Sequence, residues 1–132
     1  MTRKQAREQA FILIFEKSIN DNSIDEILNA AKECREFCED NDGYTLEVFN
    51  GVFNNLELID KLISENLSNW SINRISKVSL AVLRLAVYEI LFIDNIPEAV
   101  SIDEAIELCK KYSIPDDASY VNGVLGTIVR TK

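Results

Sequence analysis

The sequence predicts an all-α fold, a compact bundle of about six to seven helices. Glycine and proline are scarce, at 4 and 2 of 132 residues, so few tight turns are available for a sandwich of many short strands. Apolar residues recur at helical spacing along most of the chain, and no segment alternates strictly for long enough to predict a strand. A chain of this length forms about one domain and can bury roughly two-thirds of its unfolded surface.

The first helix is predicted over residues 4–19, where apolar side chains cover one face at the start and nearly the whole circumference further on. We therefore expect its later turns to be deeply buried. A capping box opens the second helix, because the Ser23 hydroxyl can accept from the backbone N–H of Glu26 while the Glu26 side chain returns to the N–H of Ser23. This helix is expected to run to about Glu39, before a turn at residues 40–43.

A third helical pattern covers residues 46–67, and we expect one helix there, because Asn54 and Asn55 permit a bend without forcing a break. In the connection that follows, Trp70 is expected to pack between helices. Residues 75–93 are apolar on all sides, which predicts a helix at the centre of the bundle.

Two further helices are predicted in the last third of the chain. Ser101 and Glu104 form a second capping box, which predicts a helix from Ser101 to about Tyr112. The last helix is expected at roughly residues 117–130.

The last helix contains two glycines that need an explanation, since each costs about 1 kcal/mol relative to alanine in a helix interior. Close packing of helices at Gly123 and Gly126 is the simpler interpretation. The alternative is that this segment meets RNA, with Tyr120 stacking on an unstacked base and Asn122 offering it an amide.

Catalytic and cofactor sites are not predicted. The chain has no histidine, no Ser-x-x-Lys or nucleophile-elbow pattern and no glycine-rich phosphate loop. Cys34 and Cys38 share a helix face, but with Cys109 as the third thiol the set falls short of the roughly four ligands that zinc prefers. We interpret these cysteines as core or half-buried thiols, and predict no metal.

Three cysteines without paired spacing indicate a reducing compartment, and no signal peptide is apparent. The longest apolar stretch, residues 80–93, is too short to span a bilayer and contains Arg84 and Glu89, which we expect to be paired structural ions. A cytoplasmic protein without membrane contact is therefore expected.

The charge is unevenly distributed. A net charge of −8 argues against non-specific nucleic-acid binding, which depends on neutralising phosphates. However, Arg3, Lys4 and Arg7 fall on one face of the first helix and concentrate positive potential there. A phosphate-contacting site is one interpretation, and a solubilising, frayed N-terminus is the other.

Three stretches together resemble the NusB family, and their order covers nearly the whole chain. They are the basic start TRKQAREQA (2–10), the pair WSINRI (70–75) and AVLRLAVYE (81–89), and a final series of Ile96-Pro97, VSIDEAIEL (100–108), Lys110-Lys111-Tyr112 and YVNGVL (120–125).

The resemblance implies two packed helical subdomains, at about 1–68 and 69–132. It also implies a non-enzymatic transcription antitermination factor that binds boxA-type single-stranded RNA of ribosomal RNA transcripts. The implied partners are the ribosomal protein NusE and the antitermination complex on RNA polymerase. By matching position, the resemblance assigns backbone contacts to the basic start and further RNA contacts to the loop and helix that include the Val-Asn-Gly motif; the residues are Arg3, Lys4, Arg7, Asp116, Tyr120 and Asn122.

This chain departs from the pattern of many relatives at two places. Ser119 replaces a lysine before the aromatic residue of the Val-Asn-Gly motif, which predicts weaker RNA binding. Ser79 and Leu80 replace an acidic-then-basic pair, and an exposed Leu80 would favour a homodimer. A homodimeric interaction module without RNA binding therefore stays open as an alternative. A second alternative is a fragment of an enzyme, because some ribosomal RNA cytosine methyltransferases resemble this domain at their N-terminus.

Overall fold

The computed structural model describes residues 1–34, 37, 43–67 and 71–132. This part of the chain contains seven helices and no strand, which confirms the predicted fold class. The helices are α1 (Arg3–Ile19), α2 (Ile24–Glu33), α3 (Tyr44–Asn54), α4 (Leu56–Glu65), α5 (Lys77–Phe92), α6 (Glu98–Tyr112) and α7 (Pro115–Thr131). The predictions for Cys38, Trp70 and the turn at 40–42 lie outside the described residues.

Helix α5 is the centre of the bundle, as predicted. It packs against α1, α3, α4, α6 and α7, and most of its residues are buried. Leu80 is only 5% exposed, so the expectation of an exposed leucine that favours self-association is wrong. Ser79 is buried beside it and donates its backbone N–H to the N-cap hydroxyl of Ser76. Residues of both predicted subdomains contribute to one apolar core, and a division near residue 68 stays a prediction.

The third helical pattern forms two helices rather than one. Asn55 leaves the helical conformation, with φ −121° and ψ 23°, and its side-chain amide donates to the carbonyl of Gly51 at 2.8 Å. A side chain that bonds to the carbonyl four residues earlier competes with the backbone ladder and favours a break. The expectation of a continuous helix over 46–67 was therefore wrong at this residue.

Two helix ends also differ from prediction. Helix α2 ends at Glu33, because Cys34 is extended and donates its backbone N–H to Ala31 instead of continuing the ladder; Cys34 is exposed rather than half-buried. The second predicted capping box does not form. Helix α6 begins at Glu98, directly after Pro97, and Ser101 lies inside it at 1% exposure.

Arg84 and Glu89 of α5 are both paired, as predicted. Arg84 donates Nε and Nη2 to the two carboxylate oxygens of Asp60, each at 2.9 Å, and Nη1 to the Ser18 hydroxyl at 3.0 Å. This fork joins α5 to α4 and α1. Within the described ranges, no helix combines the length and the apolar character needed to cross a membrane.

Candidate RNA interface

A capping box sets the start of α1 and so positions the basic residues. The Thr2 hydroxyl accepts from the backbone N–H of Gln5 at 3.1 Å, and the Gln5 side chain accepts from the N–H of Thr2 at 2.8 Å. This cap was not predicted, although the Thr-x-x-Gln spacing is its known signal. The first turn, with Arg3 and Lys4, is therefore ordered helix rather than a frayed end.

Arg3 and Lys4 are both exposed, and each is held by a neighbouring helix. The Arg3 guanidinium lies 4.4 Å from the centre of the Tyr44 ring at the start of α3, within the range of a cation–π contact. The Lys4 ammonium lies 3.3 Å from a carboxylate oxygen of Glu104 on α6, and its side chain is 65% exposed. Both cations remain accessible to a phosphate.

Arg7 is buried, which corrects the expectation of an accessible cation at this position. It is 4% exposed, and its Nε donates to Glu89 of α5 at 3.0 Å. Glu89, itself 1% exposed, also accepts a hydrogen bond from the Tyr44 hydroxyl. Burial, followed by the negative charge of Glu89, raises the pKa of Tyr44 and keeps its phenol protonated as a donor. Arg7 thus anchors the basic turn of α1 to α3 and α5.

The three predicted residues of α7 do not form one cluster. Asp116 is exposed in the first turn, where a carboxylate complements the helix dipole. Tyr120 is half-buried and packs against the core, whereas Asn122 is exposed. Residues two apart on a helix point in different directions, so the two side chains border the exposed face from opposite sides. The expectation that they meet the same base does not fit this geometry.

The exposed face of α7 carries a glycine that packing does not explain. A Cβ built on Gly123 would meet no described atom within 4 Å, and one on Gly126 would meet only the end of the Arg130 side chain at 3.4 Å. The interpretation that these glycines permit close helix packing is therefore wrong. The absent side chain instead leaves the backbone of Gly123 exposed within the Val-Asn-Gly motif, where its carbonyl accepts a hydrogen bond from the Thr127 hydroxyl at 3.0 Å.

The last turn of α6 connects the two predicted parts of the site. Lys111 pairs with Glu8 of α1 at 2.6 Å, and the Tyr112 ring lies 5.0 Å from that of Phe11. Three residues later the chain enters α7. The opening of α1 and the start of α7 thus both adjoin α6. Lys111 was missed as a candidate, although it belongs to the Lys-Lys pair at the end of the predicted helix.

Metal binding finds no support among the described residues, where no cluster of three or more histidine, cysteine, aspartate or glutamate side chains is present. Cys109 is buried, and burial, followed by the charge of Asp117, raises the pKa of its thiol to about 11. The described cysteines therefore do not assemble into a ligand set.

The Thr2 cap gives a direct test of this first turn. Replacing an N-cap threonine by alanine costs about 1 kcal/mol. Thr2→Ala should therefore lower the free energy of unfolding by that amount, increase amide hydrogen exchange in the first turn of α1, and weaken RNA binding. Ser23→Ala, which removes the equivalent capping box of α2, is the matched control. It should lose similar stability with unchanged RNA affinity; equal losses of affinity would contradict a role for the first turn.

Comparison with known proteins gives consistent matches over almost the whole chain. The model of the NusB family matches residues 4–130. The transcription antitermination protein NusB of Clostridium novyi is 45% identical over 132 residues, covering 98% of this chain and 99% of that protein. Its counterpart in Acetivibrio thermocellus is 43% identical, covering 100% and 91%.

Solved structures agree with the sequence matches. NusB of T. maritima superposes with a TM-score of 0.87 at 36% identity, over 99% of this chain and 92% of that one. A chain in a crystal structure of the antitermination factors NusB and NusE with double-stranded RNA superposes with a TM-score of 0.88 at 26% identity. That match covers 98% of this chain and 97% of the other.

Proposed function

This chain belongs to the NusB family, and on that premise we propose that it is an RNA-binding transcription antitermination factor and not an enzyme. It binds boxA-type RNA of ribosomal RNA transcripts together with the ribosomal protein NusE. The pair then joins the antitermination complex on RNA polymerase in the cytoplasm.

The observation that carries this proposal is the exposed glycine at position 123 of α7. An exposed glycine in a helix interior lowers stability by about 1 kcal/mol, and no neighbouring group among the described residues requires one here. Glycine is the residue that allows a ligand to approach the backbone closely. Exposed cations lie at Arg3 and Lys4 of α1 and at Lys111 near the end of α6, the helix that packs against α7. Phosphate contacts to the cations would position the RNA, while bases lie against α7.

The charge distribution explains why a partner is needed. The net charge is −8, and the exposed carboxylates of the acidic body repel RNA. We therefore expect weak binding by the isolated protein and tighter binding with NusE, the partner named in one of the similar structures. Thermodynamic linkage requires the converse, that RNA tightens binding of NusE by the same factor.

Titration of the protein with a boxA-type single-stranded RNA, with and without NusE, tests the proposal. We expect NusE to increase affinity at least tenfold, and the single strand to bind better than a duplex of the same sequence, because bases in a duplex are already stacked. Equal affinity with and without NusE would contradict the adaptor mechanism.

The contribution of the basic turn is measured with paired variants. Arg3→Gln with Lys4→Gln should weaken RNA binding and reduce the slope of log affinity against log salt by about 0.7 for each lost phosphate contact. Lys32→Gln with Lys61→Gln removes the same charge from exposed positions on α2 and α4. If both double variants weaken binding equally, only net charge matters, and the proposed site is wrong.

A further inference from the structure

A cleft of about 140 Å³ lies between α1 and α6, beside the predicted phosphate contacts. Two exposed cations line it, Lys4 from α1 and Lys111 from α6. Three carboxylates line it as well, those of Glu8, Glu104 and Glu107. The cleft is therefore not simply basic, although it adjoins the basic turn.

Each of these two lysines is already paired with a carboxylate across the cleft. Lys111 lies 2.6 Å from Glu8, whose carboxylate also accepts from the Tyr112 hydroxyl. Lys4 lies 3.3 Å from Glu104. The lysine side chains are 60% and 65% exposed, so water and a ligand reach both ammonium groups.

The carboxylate of Glu8 is ionised at neutral pH and competes for the cations. Burial alone would raise the pKa of Glu8, but hydrogen bonds from Lys111 and Tyr112, and the positive charges of Lys111 and Lys4, lower it on balance. Glu8 thus offers the lysines the same ligand chemistry as a phosphate oxygen, at the same place.

We propose that the α1–α6 cleft is a phosphate subsite formed by Lys4 and Lys111, and that Glu8 and Glu104 occupy these lysines as internal competitors until RNA displaces them. This inference rests on the proposed function and assigns the phosphate contacts of Lys4 and Lys111 to one cleft. Exposed ion pairs are weak, so an RNA phosphate held by other contacts can replace either carboxylate.

Internal competition has a signature in the salt dependence. A phosphate that binds a free lysine releases its condensed counterions to the solvent, which gives a slope of about −0.7 per contact for single strands. When a phosphate displaces a carboxylate, the freed carboxylate binds cations from solution, so the net number of counterions released is smaller. Removing the carboxylate should therefore increase both the affinity and the steepness of the slope.

The experiment measures binding of a boxA-type single-stranded RNA to the NusE-bound protein at several salt concentrations. We expect Glu8→Gln and Glu104→Gln each to raise affinity roughly two- to fivefold and to steepen the slope. Lys111→Gln should weaken binding. Glu57→Gln is the matched control, because it removes one negative charge from an exposed position on α4.

The outcomes separate this inference from the function on which it rests. If wild-type protein with NusE binds RNA, but Glu8→Gln and Glu104→Gln match Glu57→Gln in affinity and slope, internal competition is wrong and the proposed function stands. If no protein in the set binds RNA with NusE present, both fail. Glu104 also lies 3.9 Å from buried Arg7, so Glu104→Gln could affect folding as well as RNA binding. Thermal unfolding of each variant therefore verifies that it is folded. Glu8→Gln tests the same competition at a carboxylate that is paired with Lys111 rather than with Arg7.

Discussion

Replacement of Glu89 by glutamine is expected to lower the free energy of unfolding by about 3–5 kcal/mol, the usual cost of breaking a buried ion pair by removing one partner. Glutamine preserves the shape of the side chain but removes its charge. The guanidinium of Arg7, which is 4% exposed, would then lose its nearest counterion and keep the more distant carboxylate of Glu104, at 3.9 Å. The Tyr44 hydroxyl would lose its charged acceptor at the same time.

Two control variants test whether the loss of stability comes from burial of the ion pair or from the loss of any ion pair. Asp60→Asn breaks the pair with Arg84, but the Arg84 and Asp60 side chains are 11% and 27% exposed, so solvent reaches this pair more readily than the buried pair of Arg7 and Glu89. Asp60→Asn should therefore lower the free energy of unfolding clearly less than Glu89→Gln. The double variant Arg7→Met with Glu89→Leu removes both buried charges and should recover most of the lost stability. Urea unfolding measures all four proteins, and a loss below about 1 kcal/mol for Glu89→Gln would show that the Arg7 charge is not confined to the core.

The fold class followed from the sequence because its signals are local. Helical spacing of apolar residues and the rarity of glycine and proline predicted a helical bundle, and the all-round apolar character of residues 75–93 predicted the central position of α5. The capping box at Ser23 formed as expected, since its two hydrogen bonds join residues only three apart. The same pattern at Ser101 failed because the helix already begins at Glu98, directly after Pro97, which places Ser101 inside it.

The site was harder to predict because it depends on distant parts of the chain. The spacing of Arg3 and Arg7 correctly indicated that they share a face of α1, and both lie near the Tyr44 ring. Nothing local indicates that this face is covered, or that the carboxylate of Glu89 reaches Arg7 from 82 positions away. The pairing of Lys111 with Glu8 likewise spans 103 positions. Sequence spacing gives the direction of a side chain on its own helix, but not what that direction meets.

The sequence also does not show what surrounds each glycine, and two glycine-to-alanine substitutions are expected to change the free energy of unfolding in opposite directions. Gly51 in α3 drew no attention in the sequence, yet a Cβ built on it would lie 2.3 Å from the Tyr88 ring. That ring is only 7% exposed and stacks on Phe92 with ring centres 5.1 Å apart, so it has little room to withdraw. Gly51→Ala should therefore overpack the contact between α3 and α5, at a cost of about 1–3 kcal/mol before the gain in helix propensity.

Gly123→Ala is the matched comparison, because the same substitution in the interior of α7 meets no described atom. It should raise the free energy of unfolding by up to about 1 kcal/mol, since alanine has the higher helix propensity. Thermal and urea unfolding of the two variants should thus shift in opposite directions. A double-mutant cycle with Tyr88→Ala tests the cause. If the clash with the Tyr88 ring causes the loss of stability, Gly51→Ala should no longer be destabilising in the Tyr88→Ala background. A stabilising Gly51→Ala would show that the ring moves freely, and a destabilising Gly123→Ala would show that its backbone is constrained in the free protein rather than reserved for a ligand.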